Sequence, residues 1–151
     1  MDSSPVAAFF AWLSALPADY GLSGVALSAF LSSTVLPGTS EAAAAAWQLA
    51  HPEDFWLTLT VAGVANTAGA MTTYLLGRLF PQKKAPDQGA LSRLRRWGVP
   101  ALLLTWVPMI GDALSAAAGW LRIPVLQATL YTAAGKFLRY AALLAAVSAV
   151  A

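Results

Sequence analysis

The sequence predicts an all-α integral membrane protein, built as an inverted repeat of two opposed re-entrant helix hairpins, each followed by a transmembrane helix. Three observations carry this expectation. The 151 residues are 58% apolar and 11% charged, whereas a soluble domain carries about 25% charge; so few charges cannot cover a water-facing surface. Six of the nine Lys and Arg residues (Arg78, Lys83, Lys84, Arg93, Arg95, Arg96) lie in one short stretch opposed by a single acid, Asp87, and short basic loops face the cytoplasm. Two apolar runs are each broken by a proline followed four positions later by an acid: Pro37 with Glu41, and Pro108 with Asp112.

The elements follow in order. Residues 1–21 are short, aromatic (Phe9, Phe10, Trp12) and interrupted by Pro17; they form an interfacial or partial helix. The start is acidic and lacks a basic region, so a secretory signal is not expected. Residues 22–51 form the first hairpin, with a break at Pro37-Gly38. At 1.5 Å per residue, each hairpin limb crosses roughly half to two thirds of the hydrocarbon layer. Non-helical backbone at that depth must be buried in protein or line a watery cavity. The competing reading is one kinked spanning helix per run. Residues 55–80 are long enough to span, and Ala65, Gly69, Thr73 and Gly77 form a four-residue ladder of small side chains suited to close helix packing. Residues 81–97 are the basic cytoplasmic connector, 98–121 the second hairpin, and 124–151 the last span. Trp47, Trp56, Trp97 and Trp120 fall near segment ends, as an aromatic belt requires.

The hairpins share a pattern. In "VLPGTSEAAAA" and "WVPMIGDALSAAA" a small residue, Ser40 or Gly111, precedes the acid, and alanine-rich helix follows. Polar residues recur 25 positions after Glu41 (Asn66) and 24 after Asp112 (Lys136). The first long span ends at the cytoplasmic connector, so the hairpins enter from opposite faces. Transporters use this plan, with the site at the midplane between broken half-helices.

The chemistry follows from the breaks. Pro37-Gly38 stops one limb, Thr39 or Ser40 N-caps the next, and Glu41 falls in a first turn, where the helix dipole favours an anion. Gly111 and Asp112 repeat the arrangement. A charge near mid-membrane costs at least about 2.5 kcal/mol, so it must be paired, hydrated or protonated. Lys136 and Arg139, three apart on the last span, share a face and are the candidate partners. Buried acids and bases in a membrane mark an ion, proton or substrate path. The bland alternative is a static salt bridge, Asp112–Lys136 or Glu41–Lys136. With no Cys and a single His51, no metal or cofactor is expected. Neither a Ser-His-Asp set nor an HExxH motif is present, which argues against an enzyme. The basic stretch fits anionic lipid better than nucleic acid.

At these residues the chain resembles the DedA superfamily, also called the SNARE-associated or VTT-domain family, and most closely its short bacterial YqaA-like branch. "LPGTSE" resembles the family's Pro-x-x-x-Glu tip, "AGAMTTYLLGR" its Gly-rich span, and "WVPMIGDALSAAAGWLRI" its second tip; the likeness covers about residues 28–142. The resemblance implies two opposed re-entrant hairpins, often in a dimer, in the bacterial inner membrane as a multi-pass protein. It also implies translocation of lipid, with an anionic headgroup as partner, coupled to protons or another ion. Glu41 and Asp112 would take up and release those protons. One departure stands out. Many members of the superfamily carry Arg three residues before and three after the second-tip proline; here those positions are Thr105 and Gly111. Either Lys136 and Arg139 replace them, or the substrate is not a polyprenyl phosphate.

Overall fold

A computed structural model describes residues 5, 8, 21–34, 39–79, 88–107 and 110–150. Pro37, Gly38, Pro108, the 80–87 stretch and most of 1–20 lie outside the described residues. The chain is all-α. Its helices are α1 (Leu22–Thr34), α2 (Thr39–Ala50), α3 (Phe55–Leu79), α4 (Gln88–Trp97), α5 (Ile110–Trp120) and α6 (Val125–Val150), with 3-10 turns at Pro52–Asp54 and Val99–Trp106. Among the described residues α6 is the helix long and apolar enough to cross a membrane.

Local chemistry sets these boundaries. Five consecutive alanines, Ala42 to Ala46, form the body of α2, and alanine is the best helix former. The Ala128 N–H bonds back to the Pro124 carbonyl, so the proline opens the first turn of α6 without forfeiting a donor it needs. The α4 helix ends where Gly98, at φ 71°, bonds its N–H to the Leu94 carbonyl. At the end of α5 the Ile123 N–H bonds the Ala118 carbonyl and the Arg122 N–H the Gly119 carbonyl. That is a Schellman cap, and Arg122 holds its left-handed position at φ 57° where glycine is usual.

The 25-residue α3 is nearly as long as the 26-residue α6 and carries five threonines and Asn66. Its threonines largely satisfy themselves: Thr60, Thr67, Thr72 and Thr73 each donate to the carbonyl four residues back. Two sequence expectations are corrected at the local level. The first limb of the second hairpin is a 3-10 helix rather than an α-helix, and Pro100 sits at its start. The basic connector contains α4, a helix that buries Ala90, Leu91 and Leu94 and exposes Arg93, Arg95 and Arg96.

Packing is organised around α3 and α6, which touch each other. The α1 limb packs on α3 and the α2 limb on α6; the Val99–Trp106 limb packs on α6 and α5 on α3. Two apolar cores result. One joins Val25, Ala29, Ala44, Leu59, Ala62, Tyr140 and Leu144. The other joins Tyr74, Leu91, Leu94, Leu102, Leu114 and Ala117, and takes in Trp120. Trp120 is therefore a core residue, whereas Trp56 and Trp97 are exposed at helix ends.

Glycine contacts fix the α3–α5 crossing. A Cβ on Gly77 would collide with the Ala116 carbonyl, and one on Gly119 with the Tyr74 carbonyl. Beside that crossing the Arg78 guanidinium donates to the Tyr74 hydroxyl at 2.9 Å. Tyr74 in turn donates to the Ile123 carbonyl, tying α3 to the turn that starts α6.

Candidate functional site

Glu41 and Asp112 both lie in the first turn of the second limb of their hairpins. Both face α6, near whose midpoint sit Lys136 and Arg139. The α2–α6 packing brings Glu41 to Arg139, and the two form an ion pair with side chains only 25% and 13% exposed. The other Glu41 oxygen, Oε2, accepts from the Ser40 hydroxyl at 3.2 Å. The Tyr140 hydroxyl donates to Ser40 Oγ at 2.7 Å. Ser40 is thus a link in a chain from Tyr140 to Glu41. It lies inside α2, which begins at Thr39, so it is not the N-cap that the sequence suggests.

The second acid is arranged differently. Asp112 and Lys136 interact through their charges. Among the described residues, however, they make no ion-pair contact within 4 Å. Lys136 is 2% exposed, so its ammonium is enclosed without a direct carboxylate partner. The backbone beside it is close-packed. A Cβ on Gly135 would come within 2.6 Å of the Leu103 carbonyl and 2.9 Å of Thr105 Oγ1. One on Gly111 would collide with the Thr105 carbonyl. Thr105 is fully buried and its hydroxyl points at the Thr132 carbonyl, 3.5 Å away. Gly111 and Thr105 therefore hold two limbs of the hairpin in backbone contact, with no room for arginine at position 111.

Asn66 lies elsewhere. Its amide donates to the Ala29 carbonyl at 2.8 Å, joining α3 to α1, and its Oδ1 is buried without a partner among the described residues. Tyr140 was not singled out by sequence; its place beside an intramembrane Arg was the available signal. Thr105 entered only as a position where a superfamily arginine is missing, not as a packing residue.

Buried acids and bases packed against one long apolar helix fit a membrane protein. The comparisons agree. The chain is 40% identical to the inner membrane protein YqaA of Escherichia coli, covering 79% of this chain and 85% of the relative, with the same figures for YqaA of Shigella flexneri. It is 42% identical to an uncharacterized protein of Haemophilus influenzae, covering 78% of this chain and 82% of that one. No protein-family profile matches the chain. No solved structure matches it. The chain is a protein of the bacterial inner membrane. It belongs to the YqaA family, the branch of the DedA superfamily that its hairpin motifs resemble.

Proposed function

We propose that the chain is a lipid translocase in which two membrane-embedded carboxylates couple movement of an anionic headgroup to protons. The observation that carries the reading is the pairing of opposite half-helices with one cationic helix. Glu41 opens α2 and Asp112 opens α5; Glu41 pairs with Arg139 of α6, and Asp112 lies within electrostatic range of Lys136 without direct contact. Such a set is costly in a membrane unless used. The packing supports the inverted repeat: in each hairpin the first limb lies on the long helix that follows it, and the second limb on the other long helix. In this reading α3 and α6 both span, and the hairpins enter from opposite faces.

The two pairs are in different states, and that asymmetry suggests the cycle. Glu41 is closed onto Arg139; Asp112 is open toward Lys136. A headgroup phosphate that reached Lys136 would neutralise it and leave Asp112 free to take a proton. Release would return Lys136 to Asp112. Arg139, with its planar fork, suits a phosphate as well as it suits Glu41. Close packing at Gly111 and Thr105 leaves no room for an arginine at the hairpin tip, which supports assigning the phosphate to the cations of α6. The coupling ion is a proton in this reading, no cofactor takes part, no chemical bond is made or broken, and the protein acts as a homodimer.

A second reading has its own observation. The Tyr140–Ser40–Glu41–Arg139 chain is fully bonded, as a static clamp in a structural subunit would be. A carrier of a small ion or solute would use the same groups. The test is translocation in proteoliposomes with and without a pH gradient, comparing wild type with Glu41→Gln and Asp112→Asn. Gradient-driven movement lost in both variants, with folding intact, supports the translocase. Full activity in both sinks it.

A further inference from the structure

We propose that α4 and the neighbouring 3-10 limb form a resident binding site for an anionic phospholipid, separate from the α6 site and independent of whether the protein transports lipid. Trp97 joins two features. Its indole walls an apolar cleft of about 410 Å³, completed by Pro100, Ala101, Leu103 and Leu104. The Arg96 guanidinium lies over the same indole, 5.7 Å from the ring centroid. A cation is therefore held beside an opening that otherwise offers only hydrocarbon contacts.

The helix is built for this position. Ala90, Leu91 and Leu94 anchor it on the core beneath. Arg93, Arg95 and Arg96 are exposed, and among the described residues none is in an ion pair. Arg93, Arg96 and Trp97 recur at three and four positions, which places them on one face. A basic helix with an aromatic at its end lies in the headgroup plane. Two guanidiniums there suit a phosphodiester, and the cleft below them takes acyl carbons. Leu103, Leu104 and Trp106, exposed on the adjoining limb, extend the hydrocarbon surface. A neutral lipid would fill the cleft but leave the arginines unmatched; free phosphate would match the arginines but leave the cleft empty. An anionic phospholipid satisfies both.

Native mass spectrometry of the full-length protein in detergent tests this. Dioleoyl phosphatidylglycerol and dioleoyl phosphatidylcholine are titrated against wild type, Arg96→Gln, Arg93→Gln/Arg96→Gln and Arg122→Gln. Arg122 is also an exposed arginine but lies outside the cleft, so it controls for net charge. Circular dichroism confirms that each variant is folded. At about 1 kcal/mol per basic side chain, the expected loss of phosphatidylglycerol affinity is about fivefold for the single variant and about 30-fold for the double. Phosphatidylcholine retention and the Arg122→Gln variant are unchanged. Equal retention of both lipids by wild type, or equal losses in Arg96→Gln and Arg122→Gln, would overturn the site. So would displacement by millimolar glycerol 3-phosphate, which would mark a free-phosphate site. Because the readout is binding without a gradient, failure here leaves the translocation test untouched.

Discussion

The α3–α5 crossing makes a quantitative demand on the sequence. Adding one methyl at Gly77 drives it into the Ala116 carbonyl, with the Ala116 carbonyl carbon at 2.8 Å and Cα at 2.9 Å. Adding one at Gly119 drives it into the Tyr74 carbonyl, with the Arg78 nitrogen at 2.9 Å. All of these are backbone atoms, so no side-chain rotation relieves the overlap and the helices must move apart. Alanine gains about 1 kcal/mol of helix propensity over glycine. Against that stand an overpacking cost of about 1–3 kcal/mol and stretching of the Tyr74–Ile123 and Arg78–Tyr74 bonds, each worth about 1 kcal/mol. The net expectation is a loss of about 2–4 kcal/mol for either Gly77→Ala or Gly119→Ala. Tyr74 and Gly77 are one turn apart on α3, as are Ala116 and Gly119 on α5, so a single separation accommodates both methyls. The double variant should therefore lose about 1 kcal/mol less than the summed single losses. Unfolding in mixed micelles by stepwise addition of dodecyl sulfate, followed by far-ultraviolet circular dichroism, reads all three values. A Gly77→Ala protein as stable as wild type, or strictly additive losses, would refute the close crossing.

Further expectations follow from single contacts. Lys136→Met keeps the length of a buried chain and removes an ammonium that, among the described residues, has no carboxylate within ion-pair reach. The melting temperature should hold or rise while gradient-driven transport is lost; a static clamp predicts instead a loss of about 3–5 kcal/mol. Arg122→Gly relieves a left-handed residue in the α5 cap and should stabilise by about 1 kcal/mol in the same unfolding assay. Tyr74→Phe removes the bonds to the Ile123 carbonyl and from Arg78 and should cost about 1–2 kcal/mol, with limited proteolysis newly admitted near residue 123.

Much of the site was legible because its signals are local. The proline-to-acid spacing fixed Glu41 and Asp112 in first turns, and the three-residue spacing of Lys136 and Arg139 put them on one face. Which base meets which acid was not legible. That choice depends on how α2 and the Val99–Trp106 limb dock along α6, a register set by Gly135, Thr105 and other long-range contacts. The α4 helix was hidden by its charge: ten residues rich in arginine fall in the basic connector with no element assigned, although Ala90, Leu91 and Leu94 carry the spacing of a buried helix face. Trp120 ends a segment, which suggests the interface; its burial comes from joining the core cluster that also holds Tyr74 and Leu94, residues that sequence neighbourhood does not bring near. The polar residues of α3 are likewise partly self-satisfied, since the hydroxyls of Thr60, Thr67, Thr72 and Thr73 are spent on its own carbonyls.

The central claim is that buried carboxylates drive lipid across the membrane. The most direct measurement is the rate at which purified wild-type protein moves a fluorescent polyprenyl phosphate and a fluorescent phospholipid across proteoliposomes, with and without a pH gradient. The account predicts movement of an anionic lipid that accelerates when the gradient is imposed and stops when it is collapsed. Folded protein that moves neither lipid under any gradient would contradict it, and the same acids would then stand as a clamp between helices or as a site for a small solute.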